Sequence, residues 1–233
     1  MIVPLLFFHS VHYFTVYSQN NSDKMCEDKN NRMTVLKLSS EQTFADALHD
    51  SSLSFEASGV ELRSDGLVMY VIFDNFFQIG AVCTPQATQS INCTNQLIDW
   101  PDETMRSAAS EFEGIAYNFF DETYFIIQET IPPALNRTTL ASNIFEIRIT
   151  SNDFVSSVVL IESCQVKWQF ESKSKGFEGL EFMVHQNTGK RHLLALCEAN
   201  NCSMATIQEN ATTNLGNGQI VVLEKRAATS DGK

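Results

Sequence analysis

The chain has 233 residues, with 16 Lys and Arg against 28 Asp and Glu, a formal charge of −12. That balance excludes a nucleic-acid binder, which needs a basic face for phosphates, and docking on an anionic membrane surface. An apolar share of 43% with 17 Phe excludes a disordered chain and is enough for a sizeable core.

In chain order, residues 1–18 come first. Leu5, Leu6, Phe7 and Phe8 form a short apolar centre with no Lys or Arg before it, and the segment is read as a signal peptide or, through residues 1–17, a membrane anchor. Five Asn-x-Ser/Thr acceptors, at Asn20, Asn92, Asn136, Asn201 and Asn210, lie in polar stretches where a glycan would be solvated. An extracellular or secretory location follows as the expectation. It suits six cysteines, for which fifteen pairings exist. Short loops keep their ends close, so Cys83–Cys93 and Cys197–Cys202 are the expected bridges. Cys26 and Cys164 are left open between a bridge and two thiols. Residues 19–54 read as a polar leader. Within it, Met33 to Ser39 is expected to be a strand donated from another blade, and Glu41 to Asp50 a short helix.

Three similar segments follow: FEASGVELRSDGLVMYVIFDN from Phe55, FEGIAYNFFDETYFIIQET from Phe112 and FEGLEFMVHQNTGKRHLLALCEAN from Phe177. Each opens on Phe-Glu with a Gly close behind, runs through an apolar strand, a polar turn and a second strand, and closes on an acid. VMYVIF, YFIIQ, FEIRIT, VVLI and QIVVLEK are β-rich, and Ser64-Asp65-Gly66 and Asn187-Thr188-Gly189 supply turn residues. Further strands are expected at Phe76 to Val82, Asn143 to Thr150, Ser156 to Leu160 or longer, and Gly218 to Lys225. The fold class is therefore all-β: a partial β-propeller of about three four-stranded blades (55–109, 110–174 and 175–226), with 227–233 a polar tail. Three blades do not close a ring. The chain is expected to be an open arc, part of a larger ring or a subunit completed by the missing half or by a homo-oligomer.

Antiparallel pairing brings the opening and closing acids of each hairpin to one end. Glu56 is thus expected beside Asp74, Glu113 beside Glu129, and Glu178 beside Glu198. Two uses are open to these acids. A Glu ahead of an innermost strand can accept backbone hydrogen bonds from the next blade and hold the array together. Alternatively, carboxylates crowded at one mouth repel unless a proton or cation intervenes, and hard oxygen ligands point to Ca²⁺. Gly59, Gly114 and Gly179 mark close backbone approach, and Phe55, Phe112 and Phe177 a core between blades. His185, His192 and the Lys190-Arg191 pair read as a solvated turn at the far end of the third hairpin.

SEFEGIAY (Ser110 to Tyr117), KGFEGLEF (Lys175 to Phe182), LLALCEANNC (Leu193 to Cys202) with GQIVVLEK (Gly218 to Lys225), and ASGVELRSDGLVMYVIFDN (Ala57 to Asn75) resemble the phytase-like propellers. That family is also labelled esterase-like activity of phytase and is close to the SdiA-regulated type. The resemblance implies a six-bladed type of propeller and a phosphatase or esterase expectation, with carboxylates holding metal and basic residues gripping a small phosphorylated ligand. The acids are present here. A Lys/Arg cluster beside them is not evident, so the leading expectation is a secreted Ca²⁺-binding scaffold or binding module. A metal-dependent phosphoester hydrolase and a metal-free structural protein are the alternatives.

Overall fold

In the computed structural model the residues described are 24–27, 33–36, 41–85, 87, 93–103, 109–131, 141–151, 156–166, 176–197 and 219–224. The chain divides into two units, Met1–Thr43 and Phe44–Lys233. In the first, strands β1 (Lys24–Glu27) and β2 (Met33–Leu36) form an antiparallel hairpin of their own. Within the segment Met33 to Ser39, expected to be a donated strand, β2 takes β1 as its partner, while residues 37–39 lie outside the described residues.

The second unit is predominantly β, and the helical turn α1 (Phe44–Ala47) lies inside the segment expected to be helical. Its strands are β3 (Ala57–Leu62), β4 (Val68–Phe73), β5 (Gln78–Cys83), β6 (Gln96–Asp99), β7 (Phe112–Asn118), β8 (Thr123–Ile131), β9 (Ala141–Ser151), β10 (Ser156–Gln165), β11 (Phe177–Val184), β12 (Arg191–Cys197) and β13 (Gln219–Leu223). They make three antiparallel meanders, β3-β4-β5-β6, β7-β8-β9-β10 and β11-β12-β13. β6 has no counterpart among the expected strands. The unit also begins at Phe44, within the stretch read as leader.

Turn chemistry sets the hairpins. Gly66 takes φ +74° after Asp65, whose Oδ1 accepts the Leu67 N–H at 2.9 Å, and Gly189 takes φ +66°. Central strands such as VMYVIF are apolar throughout because both faces of the first sheet are covered. One face packs on the second sheet through Tyr70, Ile72, Ile79, Ile98, Phe112, Ile126 and Ile147. Phe112 is fully buried there, 5.0 Å from Phe77 and 5.1 Å from Trp100 between ring centroids. The other face is capped by Leu48 with Phe44, Phe55 and Phe76. Phe55 therefore caps the array, whereas Phe112 and Phe177 pack between sheets. The second sheet's remaining face packs on the third through Phe125, Ile127, Ile144, Phe177 and Leu180. Strands β3, β7 and β11, the first of each sheet, contact one another in that order.

Cys83 and Cys93 form the expected disulfide, with a sequence separation of 10. Cys197 is also disulfide-bonded, while Cys202 lies outside the described residues. Cys164 is exposed on β10, its Sγ 3.2 Å from Glu162 Oε1. Reducing Cys83–Cys93 should lower stability by about 2–3 kcal/mol, the entropy of a loop of that length. Urea unfolding of the Cys83→Ala/Cys93→Ala double variant measures it, and an unchanged midpoint would show that the bridge contributes nothing. The five glycosylation acceptors, Asn20, Asn92, Asn136, Asn201 and Asn210, lie outside the described residues, as does Glu198.

Candidate functional site

The first strands of the three sheets, β3, β7 and β11, share one irregularity. In each, the pairing with the next strand slips by one residue: between Ala57 and Gly59, between Phe112 and Gly114, and between Phe177 and Gly179. A bulge of this kind leaves one residue out of the ladder and re-aims its side chain. The bulged residues are Ser58, Glu113 and Glu178.

This register corrects the alignment of the first segment. Glu113 and Glu178 are equivalent, as expected, but their counterpart is Ser58 rather than Glu56. Glu56 corresponds to Glu111: Asp74 N–H donates to Glu56 O at 2.9 Å, and Glu129 N–H donates to Glu111 O at 2.7 Å. The closing acids Asp74 and Glu129 do correspond, each one residue beyond the last ladder position of β4 and of the regular part of β8, at Phe73 and Gln128. Sequence matching fails in the first segment because it contains a Phe-Glu pair displaced by two residues, and only the hydrogen-bond ladder reveals the displacement.

Backbone contacts fasten the sheets at this end. Glu111 N–H donates to Asp74 O at 2.7 Å, and Ser110 Oγ donates to the same carbonyl at 2.8 Å and to Phe73 O. Glu111 holds φ +54°, which a non-glycine residue adopts only when its surroundings require it. Ser58 Oγ donates to Phe112 O, and Ser142 Oγ to Glu129 O. Gly176 lies so close to Glu129 that an added Cβ would stand 2.8 Å from its carbonyl oxygen. Main-chain groups of the closing acids thus take part in fastening the sheets.

Charge from several of these acids reaches Glu113. Burial and the charges of Glu178, Asp74, Glu129 and Glu111 push its carboxyl up to about 8. Burial and Glu56 raise Asp74 as well. Five acids of three successive hairpins thus share one electrostatic environment, and four of them, Asp74, Glu113, Glu129 and Glu178, are among those singled out by sequence. Among the described residues, no three His, Cys, Asp or Glu side chains stand gathered as a ready-made metal cage. The Lys190-Arg191 turn lies at the opposite end of the third hairpin, where Lys190 pairs with Glu224 at 3.1 Å and Arg191 with Asp121 at 2.6 Å.

A second pair of acids escapes a reading of the sequence. Glu61 lies three residues past Ser58 and Glu181 three past Glu178, with Ala116 at the matching position of β7. Burial, then the charge of Glu181, pushes Glu61 up to about 7, although the Leu62 N–H donates to its Oε1 at 2.9 Å. The three-residue offset from the bulge is the available signal, but it emerges only after the first segment is realigned.

No protein-family model matches the chain, and no curated protein matches it either. Among the described residues no helix is long and apolar enough to cross a membrane.

Proposed function

We propose that the chain forms part of a phytase-like β-propeller, secreted and glycosylated, that acts as a binding or scaffold module with Ca²⁺ at the acidic end of its inner strands. Three meanders with side-by-side first strands and a bulge repeated in phase support the propeller reading. The Cys83–Cys93 bridge supports an oxidising compartment.

The observation that carries the calcium reading is the raised carboxyl of Glu113. Burial first, and then four neighbouring carboxylates, raise it, and a divalent cation would relieve the repulsive part of that cost as a proton does. The donors are hard oxygens of the kind Ca²⁺ prefers, and the flexible coordination of this ion allows side chains to be drawn together on binding. The groups acting on Glu113 are all acidic, which favours cation binding over the gripping of a phosphoester.

Calcium titration at pH 7 tests this. Binding should release close to one proton, because Glu113 must ionise, so the calorimetric heat should depend on the buffer's ionisation enthalpy. Thermal stability should rise by about 2.7 kcal/mol at a hundredfold excess over Kd. Glu178→Gln should weaken binding at least about tenfold through the loss of one charged ligand. Lys190→Ala, in the distal turn, should leave it unchanged. A folded protein with neither heat nor thermal shift in millimolar Ca²⁺ would overturn the reading.

A further inference from the structure

The first two sheets leave a cleft between their last strands. β6 and β10 are edge strands of their sheets, far from the contacts of β3, β7 and β11 in strand order. They are bridged at one point, where Gln96 Nε2 donates to Ser156 Oγ at 3.1 Å and Ser156 N–H donates to Gln96 Oε1 at 3.2 Å. Here lies a cavity of about 350 Å³, at the lower end of the range for ligand sites. Its walls include Gln96, Asp99, Trp100, Glu103, Ser156 and Ser157.

Two features of this wall ask for a ligand. Trp100 is 1% exposed, its ring held among Phe77, Phe112 and Phe145, and its Nε1–H is buried without a hydrogen-bond partner. Buried donors are nearly always paired, so the cavity beside this one suits a group that brings an acceptor. The second feature is charge. The run Asp99-Trp100-Pro101-Asp102-Glu103 carries three acids, and Asp99 is oriented by Gln78, whose Nε2 donates to Oδ1 at 2.8 Å. Among the described residues that line the cavity there is no Lys or Arg. The wall therefore calls for an acceptor and a cation together, which a peptide offers in its carbonyl and a basic side chain.

We infer that the cleft between β6 and β10 binds an extended basic segment of a partner protein, which adds as a strand along β10 and places a Lys or Arg side chain in the cavity. The open edge selects a strand. Among the described residues no strand pairs with the outer side of β10, so its main-chain groups there are available to an incoming chain. Val159, Leu160 and Ile161, the residues that follow the cavity on β10, are exposed and supply apolar contact to the segment's other side chains. Asp99 and Glu103 select the positive charge, and the chain's net charge of −12 draws such a segment in. The cleft uses neither Glu113 nor the acids that act on it, so this inference stands apart from the calcium reading.

Titration of the full chain in EDTA with capped heptapeptides of alternating Thr and Val, carrying Lys, Arg, Gln or Glu at the centre, tests it by calorimetry. The Lys and Arg peptides should bind at least about tenfold more tightly than the Gln and Glu peptides, the worth of one hydrogen bond to a charged group. Added salt should narrow that gap. Glu103→Gln and Asp99→Asn, at exposed positions, should each abolish most of the preference with circular dichroism unchanged, whereas Glu122→Gln, in the turn between β7 and β8, should keep it. Methylating the amide nitrogens of the Lys peptide at odd or at even positions should abolish binding for one set and spare it for the other, because a strand pairs through alternate residues. In a Trp168→Phe background, which leaves Trp100 as the sole indole, binding of the Lys peptide should shift its emission. No binding to the folded chain, indifference to the central residue or to both acid variants, equal tolerance of the two methylated sets, or free arginine amide binding as tightly as the peptide would overturn the inference.

Discussion

Gly114→Ala should destabilise the protein by about 3 kcal/mol or more. The added carbon would lie 2.4 Å from Leu180 N, 2.8 Å from Gly179 C and 2.9 Å from Leu180 Cβ. Two of these are backbone atoms of a neighbouring strand, so relief requires β7 and β11 to separate, and Phe125, Ile127 and Phe177 with them. Gly59→Ala is the informative contrast. Its added carbon would meet the Ile72 side chain at 3.0 Å, which can rotate, and a cost of about 1 kcal/mol is expected. Urea unfolding of both variants makes the comparison. Equal costs would mean that the close approach of β7 and β11 is not what the glycine serves.

The second large effect is a fall in stability as pH rises through neutrality. Glu113 is pushed up to about 8 and Glu61 to about 7, from an ordinary value of 4.5. A raised carboxyl binds its proton more tightly in the folded chain than in the unfolded one. Its contribution is therefore fully present below 4.5 and is lost as pH climbs to 7 and then 8. Glu113→Gln and Glu61→Gln should be nearly neutral at about pH 4.5 and more stable than the parent at about pH 8.5, each by about 2 kcal/mol after allowance for solvent screening. The measurement is chemical denaturation across that range in EDTA. A parent whose stability climbs between about pH 5 and 8, in parallel with both variants, would show that these carboxyls ionise freely. The comparison also serves the calcium reading, because added Ca²⁺ should restore the parent at high pH and leave Glu113→Gln behind.

Much of the site is legible in the residues. The closing acids follow the second strand of each hairpin, and a chain that turns back at Asp65-Gly66 or Thr188-Gly189 must return them to where it began. The Phe-Glu-Gly strings at Phe112 and Phe177 likewise align with each other as expected, each with a bulge that only the ladder reveals. The first segment misaligns because Phe55-Glu56 imitates the string two positions early. Composition cannot tell a residue before a strand from one inside its first bulge. The bond from Asp74 N–H to Glu56 O can, and it moves Ser58 into line with Glu113. Glu61 and Glu181 are missed for the same reason, since their significance depends on sharing a position with Ala116 on neighbouring strands.

Short-range chemistry, readable along the chain, accounts for the β character of the apolar runs, the turns built on Asp-Gly and Thr-Gly, the Cys83–Cys93 bridge, and three hairpins each ending in an acid. The folded arrangement alone establishes which strands neighbour one another, which acids share a field, that β2 pairs with β1, and that Leu196, Ile220 and Val222 are exposed. The difference is one of range. Backbone preference and alternation act over a few residues, whereas burial and charge coupling depend on groups from different sheets, such as Asp74 and Glu113, that meet only when the sheets stack.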